Sequence, residues 1–474
     1  MQIPFSEIVI TQKGKNPIIK SNKKLSNYIP YIDIKAFEQG IFDTYTDGQK
    51  CLLCDDGDVL LVWDGARAGL VGTAYKGAVG STLMKVNVPY LERKYILFFI
   101  QLYSRELNAQ PKGTGIPHIN PNIFNSLPFF LPPLQEQNRI VTKIDTLFSE
   151  LDSNITLLKN VKNQLAIYRQ SVLKWAFEGK LTEEIRIKED KSNIYKELLN
   201  NCLVNISSQI DYNNINLNIP DEWLWVKLGE IYPIEVGATP SRKNIKYWNG
   251  DIDWISSGEV KFCEIFNSKE KISKLGLENS STNVQPPGTV LLAMIGEGKT
   301  RGQAAIIKIF AAHNQNTAAI IIPKTIYPPE YIYYYLLYNY QNTRKVGSGN
   351  NQKALNKERI KNIPFPFTSK PEQLAIISAI ESRLSVCDKI EQTIDQTLAL
   401  SDQLRQSILK KAFEGRLVPQ DPNDEPAEKL LERIKSEKTA ILEKQKTGHR
   451  MKRIKTNKKG LSNKANDKEK INST

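Results

Sequence analysis

Long apolar stretches, cysteine and histidine are all scarce in this chain of 474 residues. No apolar run reaches the roughly 20 residues that a transmembrane helix requires, and the first residues show no secretion-signal pattern. Five scattered cysteines are typical of a reducing compartment rather than of a disulfide framework. These absences predict a cytoplasmic protein that spans no membrane.

Metal-ligating and histidine-based catalytic sets are also missing. Cys51 and Cys54 have the spacing of zinc ligands, but a structural zinc needs four ligands and no second pair follows. His118, His313 and His449 lie far apart in the sequence and form no motif. We therefore predict no metal site and no histidine-based catalysis.

Two partial matches to enzyme motifs have simpler explanations. Pro220-Asp221 with Glu259 and Lys261 is loosely similar to a magnesium nuclease set, but a Pro-Asp pair before Trp223 is more simply the start of a domain. Methyl transfer to an exocyclic amine would use an Asn/Asp-Pro-Pro-aromatic turn, and neither 28–31 nor 327–330 supplies one. Neither match predicts an active site.

Residues 293–300 loosely resemble a phosphate-binding loop. Such a loop must open a helix whose N-terminal amides hold the phosphates, whereas a strand-like run, Ala304–Phe310, follows here. The first glycine of the pattern would also fall on Ala293. We predict a hairpin turn at this place and no catalytic residues in the chain.

What the chain does contain is one long segment that occurs twice. The segment Gln135–Leu181 is matched by Pro371–Leu417 at a constant offset of 236 residues. Prolines precede both copies, and Gly179 and Gly415 stand where a helix C-terminus favours glycine. Each copy predicts one helix of roughly 45 residues, about 65 Å long at 1.5 Å per residue.

Apolar residues spaced alternately by four and three form a seam along each predicted helix, as in a coiled coil. The first seam comprises Ile140, Ile144, Leu147, Leu151, Leu158 and Leu165. The weaker second seam comprises Ile376, Ile380, Ile390, Ile394, Leu404 and Ile408, and it also carries Arg383 and Ser401. One helix cannot bury its seam alone, so we predict that the two pair with each other. Docking of each helix on a separate domain is the alternative.

The motifs of the first block begin again at about Asn218. Leu228–Ile231 matches Phe5–Ile8, and Gly237–Pro240 matches Gly14–Pro17, both at an offset of 223 residues. We predict an α+β protein of two tandem globules, each followed by a long helix, with the helices forming an antiparallel coiled coil and a pseudo-two-fold arrangement. The predicted segments are globule 1 (1–133), helix 1 (134–181), a polar linker (182–217), globule 2 (218–369), helix 2 (370–417) and a charged tail (418–474), helical from Ala427 to Lys446 and then disordered.

Positive charge is concentrated near the C-terminus. The formal net charge is +14, and +9 of it lies from Lys444 onward, where eleven Lys or Arg residues are set against two acids. The tail is therefore a solvated basic segment that would adhere to nucleic acid. The rest of the chain carries only +5, so a DNA-binding surface on the globules must come from local clusters.

Residues beside glycines in predicted loops are the candidates for DNA contacts, because loops on a rigid scaffold can reach phosphates and groove edges. The candidates are Lys13, Lys15, Arg67, Lys112, Arg242, Lys243, Lys299, Arg301, Arg344, Lys345, Gln352 and Lys353. Each taken singly is more often an ordinary solvated surface charge. Their recurrence in both copies makes DNA binding an equal alternative. The six tyrosines of 331–340 could stack on bases, but their helical spacing favours core packing.

The whole arrangement resembles the specificity subunits of type I restriction–modification systems. The residues that carry the resemblance in the first half are Leu127-Pro128, Pro132–Gln137 and Ser171–Leu181. Those in the second half are Trp223, Leu228–Ile231, Gly237–Pro240, Ser407–Leu417 and Val418–Pro426. The match covers almost the whole chain. It departs from the family pattern where no tryptophan precedes Phe5 and where Lys370-Pro371 replaces the usual Pro-Leu.

The resemblance implies a non-catalytic reader of double-stranded DNA. Each globule would be a target-recognition domain that reads one half of a split, asymmetric target. The helix pair would set the spacing and dock two modification subunits, which are adenine methyltransferases, and restriction (endonuclease and translocase) subunits would join that core. S-adenosylmethionine, ATP and Mg²⁺ would belong to those partners, so no cofactor is expected on this chain.

Two rival hypotheses belong to other functional classes. The chain could itself cleave or methylate DNA, against which the missing motifs argue and which an assay with S-adenosylmethionine or magnesium would test. It could instead be a coiled-coil adaptor that binds only protein. Salt-dependent DNA binding by the assembled complex would separate that adaptor from a DNA reader.

Overall fold

The computed structural model describes residues 1–109, 117–184, 186, 217–296, 298–322, 327–345 and 355–444. The chain divides into two compact units that do not follow chain order. Unit 1 joins Met1–Leu157 to the residues from Gln396 onward, and unit 2 is Leu158–Asp395. Each unit therefore holds one globule together with part of each long helix. The predicted linker falls mainly on 187–216, outside the described residues.

Unit 1 contains ten short strands and three helices within its described residues before α4 begins at Leu134. The strands are β1 (Gln2–Pro4), β2 (Ile10–Lys13), β3 (Ile29–Ile32), β4 (Tyr45–Thr46), β5 (Leu53–Cys54), β6 (Val59–Val62), β7 (Val71–Thr73), β8 (Gly77–Val79), β9 (Leu83–Asn87) and β10 (Pro128–Phe130). The helices are α1 (Ile34–Gln39), α2 (Arg93–Ala109) and α3 (Pro121–Ser126). Fully buried β6 (Val-Leu-Leu-Val) lies between β9 and β7 in the sheet β2-β9-β6-β7. Val59 and Leu61 pack in one hydrophobic cluster and Leu60 and Val62 in another, so both faces of the strand are covered.

Unit 2 repeats this plan. Its strands are β11 (Leu224–Lys227), β12 (Ile234–Val236), β13 (Trp248–Ile255), β14 (Cys263–Ile265), β15 (Glu270–Ile272), β16 (Val290–Ala293), β17 (Ala304–Ile307), β18 (Ala311–His313), β19 (Thr317–Ile320) and β20 (Pro364–Phe367). Its short helices are α5 (Leu228–Ile231), α6 (Lys274–Glu278), α7 (Pro329–Tyr338), α8 (Tyr340–Lys345) and α9 (Lys357–Lys361).

The strand order shows that the sequence repeat is also a structural repeat. The sheet β2-β9-β6-β7 of unit 1 corresponds to β12-β19-β16-β17 of unit 2, which adds β14 at its edge. The small pairs β1–β10 and β11–β20 correspond, and so do the parallel pairs β3–β8 and β13–β18. The predicted duplication of an α+β globule is confirmed.

The two predicted long helices are both present. They are α4 (Leu134–Phe177) and α10 (Lys370–Phe413), each of 44 residues. The chain leaves each helix through Gly179 (φ +67°) and Gly415 (φ +70°), in the left-handed region where glycine avoids the Cβ clash.

Burial along both helices follows a strict seven-residue spacing. The positions in this row are Gln137, Ile144, Leu151, Leu158, Leu165 and Val172 on α4 and Gln373, Ile380, Cys387, Ile394, Ser401 and Ile408 on α10. All are buried except Leu158 and Leu165, which are half-buried. A seven-residue period is the signature of a left-handed coiled coil.

Ion pairs give the direction of the helix pairing inside each unit. In unit 2, Lys162 pairs with Asp395 at 2.7 Å, and Arg169, one heptad later, pairs with Asp388, one heptad earlier, also at 2.7 Å. In unit 1, the Arg405 guanidinium pairs with Asp152 and lies over the Phe148 ring. The helices are antiparallel, as predicted.

The second row of the seam is less buried than the sequence suggested. Ile140 and Ile376 are buried, and Leu147 is partly buried. Ile390 and Leu404, however, are 40% and 50% exposed, so their assignment to the buried seam was wrong. The row that holds them also carries Arg383 and Thr397, so it is less apolar than the row of Gln373, Ile380 and Ile394, which is buried.

The C-terminal end of each long helix packs in the core of the globule that it does not follow in sequence. Phe413 contacts Tyr95 of unit 1, with ring centroids 4.9 Å apart. Its counterpart Phe177 contacts Tyr331 of unit 2 at 5.3 Å. Each globule is thus completed by the helix of the other repeat, which chain order alone did not indicate.

Part of the tail belongs to the core of unit 1. Residues 427–444 are helical, and Leu430 and Ile434 are buried among the residues of globule 1. Lys435 pairs with Glu7 at 2.6 Å, and Arg139 pairs with Asp424 at 2.7 Å. The start of the tail is therefore a packed element, whereas 445–474 lie outside the described residues. Across the described ranges, no helix combines the length and apolar character needed to span a bilayer.

Candidate nucleic-acid interface

One loop recurs at the same place in both units, and it carries several candidate DNA contacts. It joins β6 to β7 in unit 1 and β16 to β17 in unit 2, and it turns through Gly69 (φ +94°) and Gly302 (φ +85°). A Cβ at Gly69 would lie 2.8 Å from the Ser104 carbonyl oxygen, and one at Gly302 would lie 3.4 Å from Tyr340. Both loops therefore turn closely against the helix that follows the sheet.

The loop in unit 2 is the hairpin that the sequence predicted, not a phosphate-binding loop. β16 and β17 pair antiparallel, with Val290 opposite Ile306. The residues after the loop form a strand, so no helix N-terminus is available to hold phosphates. Glu297 lies outside the described residues.

Two arginines fasten this hairpin to α8. The Arg301 guanidinium donates to the Arg344 carbonyl oxygen at 3.0 Å, and Arg344 donates to the Arg301 carbonyl oxygen at 3.2 Å. Arg344 also lies over the Tyr340 ring, and the Tyr340 hydroxyl donates to the Lys299 carbonyl oxygen at 2.6 Å. The arrangement holds Lys299 exposed at the tip of a fixed loop.

The loop in unit 1 has a different set of contacts. Lys13, at the end of β2, pairs with Asp64 at 2.6 Å, and Arg67 pairs with Glu38 at 3.5 Å. The Asn108 amide donates to the Ala68 carbonyl oxygen at 2.7 Å and so fastens this loop to α2. Equivalent loops are thus held at equivalent places by different residues.

A second pair of loops follows β2 and β12. At Gly14 a Cβ would overlap the Gly80 carbonyl oxygen, and at Gly237 it would overlap that of His313, so only glycine fits at either position. Lys15 follows Gly14 and is exposed. Arg242 lies in the loop after Gly237. Its guanidinium carbon is 3.8 Å from the Trp248 ring centroid, and the guanidinium pairs with Glu270.

The electrostatics divide the candidates into two groups. Lys13, Arg67 and Arg242 are already paired with carboxylates, and the Arg242 hydrogen bond lowers the pKa of Glu270. Surface pairs of this kind contribute little, about 0–1 kcal/mol, so a DNA phosphate can replace the carboxylate. Lys15, Lys243 and Lys299 are exposed, and no ion pair to them is present within the described part of the chain. These three offer the most accessible charge.

The remaining candidates cannot be placed. Lys112, Gln352 and Lys353 lie outside the described residues, as does the side chain of Lys345. Lys112 follows α2 in sequence, and Lys345 ends α8.

The tyrosines of 331–340 are mainly core residues. Tyr331 and Tyr335 are buried, and both rings contact Phe177 and Phe365. Burial also raises the pKa of both phenols. The prediction of core packing is confirmed for these two.

Cys54 and His313, two of the residues singled out in the sequence, are packed side chains, whereas His449 lies outside the described residues. The Cys54 thiol is buried and lies 3.3 Å from the Tyr75 carbonyl oxygen. His313 is buried against Thr317, and desolvation lowers its pKa to about 4. No group of three potential metal ligands occurs within the ranges that the structure describes.

Sequence reasoning missed one buried polar centre in unit 2. The Glu372 carboxylate accepts hydrogen bonds from the Trp223 indole at 2.9 Å, the Arg186 guanidinium at 3.0 Å, and the hydroxyls of Thr182 at 2.9 Å and Thr368 at 2.7 Å. It joins the start of α10 to the segment that follows α4 and to the start of globule 2. The only signal in the sequence was a glutamate repeated at the first turn of both helices, Glu136 and Glu372.

Comparison with known proteins defines the class. The family model described as "Type I restriction modification DNA specificity domain" matches residues 4–165 and 220–400. The chain therefore belongs to this family and carries two copies of its domain. It is a DNA-recognition component of a type I restriction–modification system rather than one of its catalytic chains.

Two named relatives match the sequence of this chain over most of their length. The chain is 27% identical over 434 residues to the type I restriction enzyme EcoBI specificity subunit of Escherichia coli, covering 87% of this chain and 86% of that protein. It is 26% identical over 385 residues to the MjaVIII specificity subunit of Methanocaldococcus jannaschii, covering 78% and 82%.

Solved structures show the same fold. A chain from a type I restriction–modification system, solved in work on its assembly and conformational transition, matches with a TM-score of 0.62 at 18% identity, covering 88% of this chain and 98% of that one. The HsdS subunit from Thermoanaerobacter tengcongensis matches with a TM-score of 0.56 at 18% identity, covering 88% and 97%.

Proposed function

We propose that each unit reads one half of a split, asymmetric double-stranded DNA target, and that the helix pair sets the spacing between the halves. The observation that carries the proposal is the repeated loop, which occupies the same structural place in both units but carries different side chains. In unit 1 it presents Asp64 and Arg67, and in unit 2 it presents Lys299 and Arg301. A repeated frame with unlike loops suits a reader of two unlike half-sites.

The long helices support the role of spacer. A helix of 44 residues is about 66 Å long at 1.5 Å per residue. Both helices contribute to both units, and inside each unit they are joined by ion pairs and buried heptad positions. The distance between the two reading surfaces would then follow from helix length.

The helices also support docking of two modification (methyltransferase) subunits, which restriction subunits would join. Apolar side chains remain exposed along α4 and α10, including Leu157 (60%), Ile167 (68%) and the half-exposed Ile390 and Leu404. Exposed apolar residues in series along a helix suit a protein partner. Adenine methylation, DNA cleavage and the sites for S-adenosylmethionine, ATP and Mg²⁺ are assigned to those partners, and the complex acts in the cytoplasm.

Exchange of one recognition domain tests the proposal. Residues 218–369 are replaced by the corresponding domain of a relative, and the methylated motif is read from the DNA of a strain that carries the chimaera and its partners. We expect one half of the motif to change and the other half and the gap to stay. The matched control exchanges residues 1–133 and should change the opposite half. A change in both halves after one exchange would show that the domains do not read independently.

Assays of the purified chain address the enzymatic alternative. We expect neither methyl transfer with S-adenosylmethionine nor DNA cleavage with Mg²⁺. Turnover that persists after every co-purifying methyltransferase has been removed would contradict the assignment of chemistry to the partners.

A further inference from the structure

A second repeated contact lies beside the β6–β7 and β16–β17 hairpins. In unit 1, the loop after β2 meets the segment after β8, where the Ser81 hydroxyl donates to Oδ1 of Asn16 at 3.3 Å. In unit 2, the loop after β12 meets the segment after β18, where the Thr239 hydroxyl donates to Oε1 of Gln315. Each contact therefore pairs one carboxamide with one hydroxyl.

The backbone register shows that the two contacts are equivalent. Each loop donates one amide to the segment that faces it, from Lys15 to the Val79 carbonyl oxygen in unit 1 and from Ala238 to the His313 carbonyl oxygen in unit 2. In both units the loop member of the pair is the next residue after that donor, and the other member is the second residue after that acceptor. The repeat keeps the place of the pair but exchanges its members, so the carboxamide stands on the loop in unit 1 and on the facing segment in unit 2.

The pair is continuous with the hairpin that carries candidate DNA contacts. In unit 1 the amide of Trp63, the first residue after β6, donates at 2.8 Å to the carbonyl oxygen of Thr82, which follows Ser81. In unit 2 the amide of Met294, the first residue after β16, donates at 2.8 Å to the carbonyl oxygen of Asn316, which follows the carboxamide residue. Pair and hairpin are thus neighbours on the surface of each unit.

A cation lies over an aromatic ring at the same place in each unit. Tyr31 and Trp254 occupy the same position in the parallel pairs β3–β8 and β13–β18. The Lys20 Nζ lies 4.6 Å from the Tyr31 ring centroid, and the guanidinium carbon of Arg242 lies 5.3 Å from the Trp254 ring centroid. Phosphate contacts position a protein on DNA, whereas contacts to base edges specify the sequence. Each unit therefore places a positive side chain suited to phosphate near a neutral carboxamide suited to a base.

The two carboxamides differ in the hydrogen bonds that they can still make. Both residues are exposed, and neither amide nitrogen has a partner among the described residues. Oδ1 of Asn16 accepts from the Tyr31 hydroxyl at 3.0 Å as well as from Ser81, so both of its lone pairs are used and only the N–H donors remain. Oε1 of Gln315 accepts from Thr239 alone and keeps one lone pair. Donors alone suit guanine, whose major-groove edge presents N7 and O6, whereas a donor beside an acceptor suits adenine.

We propose that Asn16 and Gln315 are specificity-determining residues that contact base edges in the major groove, Asn16 at a guanine and Gln315 at an adenine. The inference rests on the proposed function and adds to it one base-reading residue for each half-site. The neighbouring cations contact phosphates, and the paired hydroxyls fix the orientation of each carboxamide.

The test combines the motif methylated by the assembled complex with its binding to duplexes that carry every single base-pair substitution of each half-site. Gln315→Ala should relax one A·T pair in the half-site of unit 2, with the preference for that pair falling about tenfold or more. Asn16→Ala should relax one G·C pair in the half-site of unit 1. Each variant should leave the other half-site unchanged. Gln49→Ala, which removes an exposed amide after β4, is the control and should relax no position.

A charge-bearing variant supplies a readout that misfolding cannot produce. Gln315→Glu keeps the shape of the side chain but replaces its donor with an acceptor, so the preferred base at that position should change rather than be lost. Relaxation at no position, or at the other kind of base pair, would overturn the inference. The exchange of residues 218–369 separates this failure from that of the proposed function. If the exchange changes one half of the motif while the single substitutions do not, the proposed function stands and the assignment of Asn16 and Gln315 falls.

Discussion

Arg301 and Arg344 each donate a hydrogen bond to the other's backbone carbonyl oxygen, at 3.0 and 3.2 Å. This reciprocal contact ties the β16–β17 hairpin to α8, so the two residues that sequence analysis singled out as DNA contacts also build the loop. Their effect on DNA binding therefore has a charge component and a positioning component. Lys299 is exposed at the same hairpin, and its effect on DNA binding has only the charge component.

This difference predicts distinct phenotypes for Lys299→Ala and Arg344→Ala in the assembled complex. Removing a phosphate-binding charge at Lys299 should weaken binding uniformly across DNA sequences and flatten the slope of log K against log salt by about one unit. Arg344→Ala should weaken binding further and raise amide hydrogen exchange at 298–303, since the loop is released. Arg344→Lys keeps the charge but not the planar donor geometry. It should therefore retain the salt slope of the wild type but not the protection of the 298–303 amides from hydrogen exchange.

The control is Lys274→Ala, which removes an exposed lysine of α6 that is not a candidate contact. Affinity and salt slope should stay unchanged in this variant. If neither Lys299→Ala nor Arg344→Ala alters binding, the hairpin is not part of the DNA-binding surface.

Trp223 should be a principal stabiliser of unit 2. Trp223→Ala removes a fully buried indole and a donor to Glu372, and we expect the free energy of unfolding to fall by about 3–5 kcal/mol. Trp223→Phe should lower it by less, about 1–3 kcal/mol, because Glu372 loses one buried donor. Hydrogen exchange of the β11 and β20 amides measures the effect inside unit 2.

Trp225→Phe is the matched control for Trp223→Phe, since Trp225 is only partly buried on the neighbouring strand position. Trp225→Phe should lower the free energy of unfolding by clearly less than Trp223→Phe. Equal losses for the two variants would show that ring size, and not the hydrogen bond to Glu372, accounts for the stability.

Glu136 predicts an unusual dependence of stability on pH. Burial raises the pKa of its carboxyl group, with Arg139 and the Met1 amine acting in the opposite direction and Asp424 in the same one. The folded state therefore holds this proton more tightly than the unfolded state, and the stabilisation from the neutral form is lost as pH rises through the raised pKa. Glu136→Gln should accordingly be at least as stable as the wild type at pH 7, with the advantage disappearing as the pH falls below about 4.

Denaturant unfolding at several pH values measures this effect. Glu150→Gln, an exposed glutamate on the same helix, is the control and should show no such trend. A Glu136→Gln variant that is markedly less stable than the wild type at pH 7 would mean that the ionised carboxylate has a stabilising partner.

Helix length should set the gap in the DNA target. Four residues inserted after Leu158 and four after Asp395 lengthen both helices at the boundaries of the two units, so the Lys162–Asp395 and Arg405–Asp152 pairs are kept. Each helix grows by about 6 Å at 1.5 Å per residue. With about 3.4 Å per base-pair step, both halves of the methylated motif should remain and the gap should gain about one or two base pairs.

Sequencing of methylated DNA from the insertion strain gives the motif. Insertion in α4 alone is the comparison, since it disturbs the heptad register and should reduce activity. An unchanged gap with full activity in the double insertion would show that the long helices do not set the spacing.

Local patterns determined the secondary structure and the repeated order of this chain. Heptad periodicity with glycine at the exits predicted α4 and α10 because helix formation depends on neighbours three and four residues apart. The repeat predicted that unit 2 would reproduce the strand order of unit 1. The absence of a helix after residues 293–300 separated a hairpin from a phosphate-binding loop. The DNA contacts of Lys15, Lys243 and the other candidates stay predictions.

Only the tertiary structure decided which surfaces cover one another. Helical spacing placed Ile390 and Leu404 in a seam, but the packing of the helices leaves both residues exposed. Phe177 and Phe413 fill the globule that they do not follow, because antiparallel pairing brings each helix end to the other repeat. Glu372 gathers donors from residues up to 190 positions away. Such contacts depend on how distant segments meet, which no local periodicity records.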